Sequence, residues 1–249
     1  MKTDWPQGYG RRVLARVDST MLEAARVAPE ISGAEWILAL DQTASRGRRG
    51  RVWAFPQGNF AATLVLRLEG GPGQAALRSF VMSLALFDAF VETTGRADLF
   101  GLKWPNDVLL NGGKVAGILL ESHMLSGGGH LAIGVGINLV EAPAASDVEP
   151  GAVRPVSLLS EAGVRVTPED FLGHLAQAFD HHERTFETYG FAPIRTAWLA
   201  RATRLGEVIT ARTTTSETIG TFSDVDMEGQ LVLDTAKGRV SIPAADVYF

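Results

Sequence analysis

The sequence has no cysteine, which excludes a disulfide scaffold, a thiolate metal site and a cysteine nucleophile. It also lacks any excess of positive charge. Twenty-three Lys and Arg stand against 28 Asp and Glu, a net charge of -5, so no general basic face is available for nucleic acid. The opening Met-Lys-Thr-Asp-Trp-Pro carries no apolar run of signal-peptide type, and no later stretch reads as long and apolar enough to span a bilayer. A soluble, cytoplasmic protein with no membrane partner is the expectation. Two phosphate-binding fingerprints are missing as well. There is no Walker pattern, and Gly134-x-Gly136 runs into Ile137-Asn138 where a dinucleotide loop needs another glycine. The histidines (His123, His130, His174, His181, His182) have no acidic partner at metal-ligand spacing.

With 249 residues, 46% of them hydrophobic, the chain can build one good core and a small appendage. Alternation predicts a strand over 12–17. Thr20 and Glu23 then have the spacing of a capping box, opening a helix with Leu22, Ala25 and Ala28 inward. Strands follow over 36–40 and 59–68, the second closed by Gly70-Gly71-Pro72-Gly73. Leu77, Phe80, Val81, Leu84, Phe87 and Val91 recur at helical spacing, which predicts the main packing helix over 74–94. Short strands over 100–104, 108–110, 114–122 and 130–135 are separated by Pro105-Asn106-Asp107, Asn111-Gly112-Gly113 and a glycine turn over 126–129. The Ala/Pro/acid-rich segment 141–155 reads as surface loop. A long helix runs from Thr167-Pro168 to about Tyr189, and a shorter one covers 193–200.

From Leu205-Gly206 onward the composition turns to Thr, Val and Gly, with strands over 208–212, 217–224, 231–234 and 240–243. The expected organisation is an α+β domain over 1–204 with a mixed or mainly antiparallel sheet, and a small β domain over 205–249.

Within this frame one stretch is chemically unusual: Gln42-Thr-Ala-Ser-Arg-Gly-Arg-Arg-Gly-Arg-Val-Trp53. Arg46, Arg48, Arg49 and Arg51 have no acidic residue among them, so the segment cannot be buried without partners. Gly47 and Gly50 let the backbone bend closely, as in a loop that closes over an anion. Lys103 and Lys114, read singly, are ordinary surface lysines, and Asn106-Asp107 reads equally well as a turn cap. Clustered at strand ends beside the arginine loop, they suit a polyphosphate or carboxylate, with Asp107 available for the divalent metal that accompanies a nucleotide. Trp53 and Trp104 flank these motifs, as pocket wall or as core.

Asp18-Ser19-Thr20, the arginine loop, Lys103-Trp-Pro-Asn-Asp-Val108, Gly113-Lys-Val-Ala-Gly-Ile-Leu-Leu-Glu121 and Ile133-Gly-Val-Gly-Ile-Asn138 together strongly resemble biotin protein ligase, also called holocarboxylase synthetase. The resemblance covers nearly the whole chain. It implies a catalytic domain like those of class II aminoacyl-tRNA synthetases and biotin/lipoate ligases, followed by an SH3-like β-barrel. It also implies the reaction: biotin and ATP, with Mg²⁺, give biotinyl-5'-AMP and pyrophosphate, and biotin then passes to one lysine of a biotin carboxyl carrier domain, as in acetyl-CoA carboxylase. No tightly bound prosthetic group is implied.

By the same resemblance, Lys114, Arg48 and Lys103 are the catalytic candidates. Ser19, Thr20, Gln42, Gly47, Arg48, Lys114 and Gly117 would bind biotin. Arg46, Arg49, Arg51, Trp53, Lys103, Asn106 and Asn138 would bind the nucleotide, and Asp107 the metal. The loop around Gly47 to Gly50 would double as a lid over the reactive anhydride. Two positions depart from the family's habit: Met21 stands where Asn is usual, and Ser45 where Gly is usual.

Bifunctional members carry a DNA-binding domain before the Asp-Ser-Thr motif. Here that motif begins at residue 18, so the expectation is no DNA partner. Many members pair through sheet edges, so a homodimer is one arrangement the resemblance allows. Two alternatives share these features in part: a lipoate or octanoate ligase, and a catalytically silent, biotin-responsive regulator or scaffold. Gln42 with Ser19 and Thr20 suits a ureido group better than an open apolar slot, and the retained Lys103, Asp107 and Lys114 argue against silence.

Overall fold

The computed structural model describes residues 4–47, 50, 51, 53–68, 71–125, 128–144, 148, 149 and 151–248. Its larger sheet contains β1 (Tyr9–Leu14), β2 (Ala34–Ala39), β3 (Phe60–Leu68), β4 (Phe100–Lys103), β5 (Asp107–Leu110), β6 (Gly113–Leu125) and β7 (Gly128–Ile137). The spatial order is β1-β2-β3-β7-β6-β5-β4; β1 and β2 run parallel and every other neighbouring pair is antiparallel. The mixed, mainly antiparallel α+β architecture read from the sequence is therefore the one observed. The glycine turns expected at residue 70 and at 126 and 127 lie outside the described residues.

Period-two alternation divides the sheet into two faces. Trp36, Leu38, Leu64, Leu66 and Ile133 join the large core, whereas Ile37, Val65 and Ala132 pack with α1 (Thr20–Val27) on the other side. The large core is closed by α2 (Pro72–Thr94) and α4 (Pro168–Tyr189), with α3 (Leu158–Ala162) and α5 (Phe191–Leu199) beside them. Proline in the first turn opens α2, and Gly95, at φ 70°, closes it by donating its N–H to Val91 O. By length and composition Gly73–Thr94 is apolar enough to cross a membrane, contrary to the sequence reading. Most of it is buried, because α2 is the central helix of the core.

The start of α1 also differs from expectation. Ser19, one residue before Thr20, is the N-cap, its Oγ accepting from Met21 N at 3.2 Å, and Glu23 turns to Arg26 instead of closing a box. Setting the cap one residue back selects another inward stripe: Met21, Ala24 and Val27 are buried in place of Leu22 and Ala25, with Ala28 buried as read. The first strand lies earlier, ending at Leu14, and α3 was not foreseen because five residues are too few to show a period.

The second sheet joins β8 (Val208–Arg212), β9 (Glu217–Val225), β10 (Leu231–Thr235), β11 (Gly238–Ile242) and β12 (Asp246–Tyr248) in the order β11-β10-β9-β8-β12. The last of these strands escaped the sequence reading. Ile209, Phe222, Leu231 and Leu233 belong to the same apolar cluster as the main core. Polar ties also hold the two sheets together: Trp104 Nε1 donates to Gly229 O at 3.0 Å, and Arg195 bonds Val225 O and Asp224. Trp104, 3% exposed, is thus core and not pocket wall.

Candidate active site

The sheet face that carries α1 opens into a cavity of about 520 Å³. It is bounded by the start of α1, the loop after β2, the β5–β6 hairpin, the end of β7, the segment around 148–155 and β12.

One end is neutral and hydrogen-bonding. An isolated bridge between Val17 and Gln42 extends the β1–β2 pairing past both strands, which sets Gln42 against the α1 terminus. There Thr20 N donates to Gln42 Oε1 at 2.7 Å, and Thr63 Oγ1 on β3 lies 2.9 Å from Thr20 Oγ1. Ser19, Thr20 and Thr63 are buried. Beside them the Met21 side chain crosses Gly134 so closely that a Cβ there would lie 2.6 Å from Sδ.

The other end is cationic. Lys103 ends β4, Asp107 begins β5 and Lys114 follows the first residue of β6. Asp107 Oδ1 lies 2.6 Å from Lys114 Nζ and Oδ2 lies 3.8 Å from Lys103 Nζ. Lys103 and Asp107 are buried, so Lys103 is no ordinary surface lysine, while the Lys114 side chain keeps 29% of its exposure. Two ammonium groups share one carboxylate, which leaves a formal +1 facing the cavity. Asn106 Nδ2 donates to Ile118 O and Ile118 N donates to Asn106 O at 2.9 Å, locking the Lys-Trp-Pro-Asn-Asp turn onto β6. Asn138, 2% exposed, donates from Nδ2 to Val156 O at 3.1 Å, and Lys114 pairs through its backbone with Arg154 and Val156.

Trp53 lies between the two ends. A Cβ at Gly136 would come within 2.7 Å of its Cε2, and one at Gly117 within 3.3 Å of its Cζ3 and 3.4 Å of Lys114 Nζ. At Gly136 a side chain would force the indole to move, and at Gly117 it would crowd the ring by a few tenths of an ångström. Lys114 Nζ stands 5.7 Å from the indole centroid, within cation–π range. Trp53 Nε1 is buried without a hydrogen-bond partner among the described residues and lies against Gly136.

The arginine loop is tied at its base: Ser45 Oγ donates to Trp53 O at 2.7 Å, Trp53 N to Ser45 O at 3.2 Å, and Gly47 N to Arg51 O at 2.7 Å. Arg46 faces Glu121 at 3.5 Å. Arg51 contacts Glu149 at 2.8 Å and Asp246 on β12 at 3.2 Å. Burial opposes its charge, but the hydrogen bond it donates to Asp246 and the charges of Asp246 and Glu149 hold its pKa above the ordinary arginine value. Arg48 and Arg49 lie outside the described residues.

Ser19, Thr20, Gln42, Arg46, Gly47, Arg51, Trp53, Lys103, Asn106, Asp107, Lys114, Gly117 and Asn138 all line this one cavity. Sequence reasoning missed Glu149, Asp246 and Tyr248, which line it too. Pro143, Val148, Glu149, Ala152, Val153 and Pro155, from the stretch read as surface loop, are therefore cavity wall. Nothing in its composition signalled that, because an acidic loop looks the same whether or not a distant arginine comes to meet it.

Asp107, the residue expected to meet the metal that accompanies a nucleotide, is engaged here by the two lysines. Both of its oxygens face ammonium groups, and no cluster of three His, Asp or Glu suited to a metal exists among the described residues.

Residues 13–138 match the family described as biotin/lipoate A/B protein ligase, and 205–249 match the biotin protein ligase C-terminal domain. The chain is 56% identical over 241 residues to a Paracoccus denitrificans protein named biotin-(acetyl-CoA-carboxylase) ligase, covering 95% of this chain and 99% of that one. It is 32% identical over 216 residues to the bifunctional ligase/repressor of Bacillus subtilis, covering 85% of this chain and 65% of that one. The solved structure of biotin protein ligase from Aquifex aeolicus in complex with biotin and ATP superimposes with a TM-score of 0.79, over 96% of this chain and 97% of that one. At 24% identity this shows a shared fold.

Proposed function

The chain belongs to the biotin/lipoate A/B protein ligase family, and from that premise we propose that it joins biotin to a protein lysine in two ATP-driven steps. A carboxylate oxygen of biotin attacks the α-phosphorus of ATP, the bond to pyrophosphate breaks, and biotinyl-5'-AMP forms. The amine of a carrier lysine then attacks the acyl carbon, AMP departs, and the amine releases its proton. The acceptor is the carrier domain of a biotin-dependent carboxylase, and the reaction is a cytoplasmic one.

The observation that carries this reading is the pairing of Lys103, Asp107 and Lys114 at one end of a single cavity with Ser19, Thr20 and Gln42 at the other, Thr20 being backed by buried Thr63. The neutral end holds a urea by matched donors and acceptors, and the acyl chain then points toward the lysines. Two anions must meet there, so Lys114 and Lys103 offset their repulsion and stabilise charge on the phosphate oxygens, an effect strongest away from water. Asp107 holds both ammonium groups in place. Magnesium enters with ATP, as part of the co-substrate, and neutralises the polyphosphate. Asn106 and Asn138 brace the strand ends around the nucleotide, Trp53 walls the channel between the two ends, and Gly117 admits both indole and ligand. Arg46 and Arg51, with Arg48 and Arg49, belong to the loop that closes over the adenylate and keeps water from the anhydride.

The test is ATP–pyrophosphate exchange with biotin or lipoate added, followed by transfer to a purified carrier domain read as a gel shift. Biotin-stimulated exchange with transfer is expected. Stimulation by lipoate in place of biotin would overturn the reading.

A further inference from the structure

The neutral end of the cavity has two unlike halves. In the row of paired residues Thr63 (β3), Gly134 (β7) and Leu119 (β6), the middle position is a glycine. The polar half is Thr63 with Thr20 and Gln42. The apolar half is built by Met21, which heads the inward stripe of α1, is 4% exposed, and lays its thioether across Gly134. A Cβ at 134 would lie 2.6 Å from Sδ and 3.0 Å from Cγ, whereas the nearest backbone atom, Leu119 O, would be an ordinary 3.6 Å away. Gly134 is thus small on account of Met21, and the two form one interlocked pair.

We propose that Met21 is a specificity-determining residue, its thioether forming the apolar wall against which the sulfur-bearing ring of the substrate bicycle lies, beside the groups that take its urea. The proposal rests on the reading of the site as a biotin pocket. A thioether is polarizable and donates no hydrogen bond. A urea N–H turned toward Met21 would go unpaired, so this wall fixes which way round the bicycle enters. It also limits the room available in the cavity that Met21 and Thr20 both line: a fused ring reaches the thioether, and an open-chain analogue leaves that contact unmade.

The experiment measures KM for biotin, for desthiobiotin (which keeps the urea and the carboxylate but lacks the sulfur bridge) and for ATP by pyrophosphate exchange. The proteins are the unsubstituted chain, Met21→Ala, Gly134→Ala and the double variant, each checked by thermal denaturation. Met21→Ala is expected to raise the biotin KM about tenfold, to change the desthiobiotin KM less, and to leave the ATP KM alone. Gly134→Ala evicts the thioether and does the same. The double variant, in which the new methyl occupies the vacated space, binds biotin better than Gly134→Ala alone. An unchanged biotin KM in Met21→Ala, an equal rise for biotin, desthiobiotin and ATP, or additive effects in the double variant would overturn the proposal while leaving the reading of the site intact. Absence of biotin-dependent exchange in the unsubstituted chain would overturn the reading, and the proposal with it.

Discussion

Lys114 Nζ stands 2.6 Å from Asp107 Oδ1, across a hairpin whose register slips between Val108 and Leu109. The slip sets the strand pair so that Lys114, placed opposite Leu109, reaches back to the carboxylate that begins β5. If Asp107 serves to hold two lysines, Asp107→Asn lowers the exchange rate about tenfold or more and leaves the half-saturating Mg²⁺ concentration unchanged. A magnesium titration of both proteins checks this; a large rightward shift would make Asp107 a metal ligand after all.

Removing the cation itself costs more. Lys114→Ala is expected to slow adenylate formation by about a hundredfold or more through lost transition-state charge stabilisation. Single-turnover adenylate formation measures it, and a near-normal rate would remove Lys114 from the chemistry.

The indole of Trp53 is held by what the sheet leaves out. Gly136→Ala puts a methyl where Cε2 and Nε1 are 2.7 and 2.8 Å away, so the ring must shift. Exchange should fall by about ten- to a hundredfold, the usual penalty of misplacing a binding wall, with the protein still folded by circular dichroism. Unaltered kinetics would mean that the indole's position is immaterial.

Ser45 gives the arginine loop an anchor that the usual glycine would lack, through its 2.7 Å bond to Trp53 O. Ser45→Gly removes about 1 kcal/mol of restraint and frees the backbone. Trypsin should then cut within 46–51 about fivefold faster in the ligand-free protein, and equal cleavage rates would show that the loop is held elsewhere.

Away from the cavity, Arg78 on α2 and Glu183 on α4 form a buried pair, with Nε and the terminal nitrogen 2.7 and 2.6 Å from Oε1. Arg78→Met strands the carboxylate and should cost about 3 kcal/mol, most of it recovered in Arg78→Met/Glu183→Leu. Burial pushes the Glu183 pKa above its ordinary 4.5, against the pull of Arg78. Above that ordinary value the folded protein therefore keeps a proton the unfolded chain has lost. This contribution to stability is full below about pH 4.5 and fades as the pH climbs through the folded value. Thermal melts across that range should show a shallower decline for Glu183→Gln.

The sequence made legible what is local. Periodicity found α2 and α4, and short spacing kept Lys103, Asp107 and Lys114 together around one reversal; that the arginine loop joins them came from the family resemblance, not from spacing. What it hid depends on residues far apart. The face that α1 buries turned on whether Ser19 or Thr20 caps it, a choice between two good caps. That Glu149 and Asp246 face Arg51 is set by the docking of the second sheet, which no periodicity encodes. The same holds for Trp104, whose neighbour Gly229 lies 125 positions away.

One guanidinium, that of Arg51, is reached by a carboxylate from the strap near 149 and by another from β12. This has a consequence for the order in which the protein is made. During synthesis the lysines, the indole and the polar end of the cavity leave the ribosome long before residue 246, so the wall opposite Arg51 is completed by some of the last described residues to emerge. Chains broken off before β12 will carry both lysines and the loop yet leave that wall unfinished. The small second sheet thereby takes part in the cavity through one carboxylate, that of Asp246.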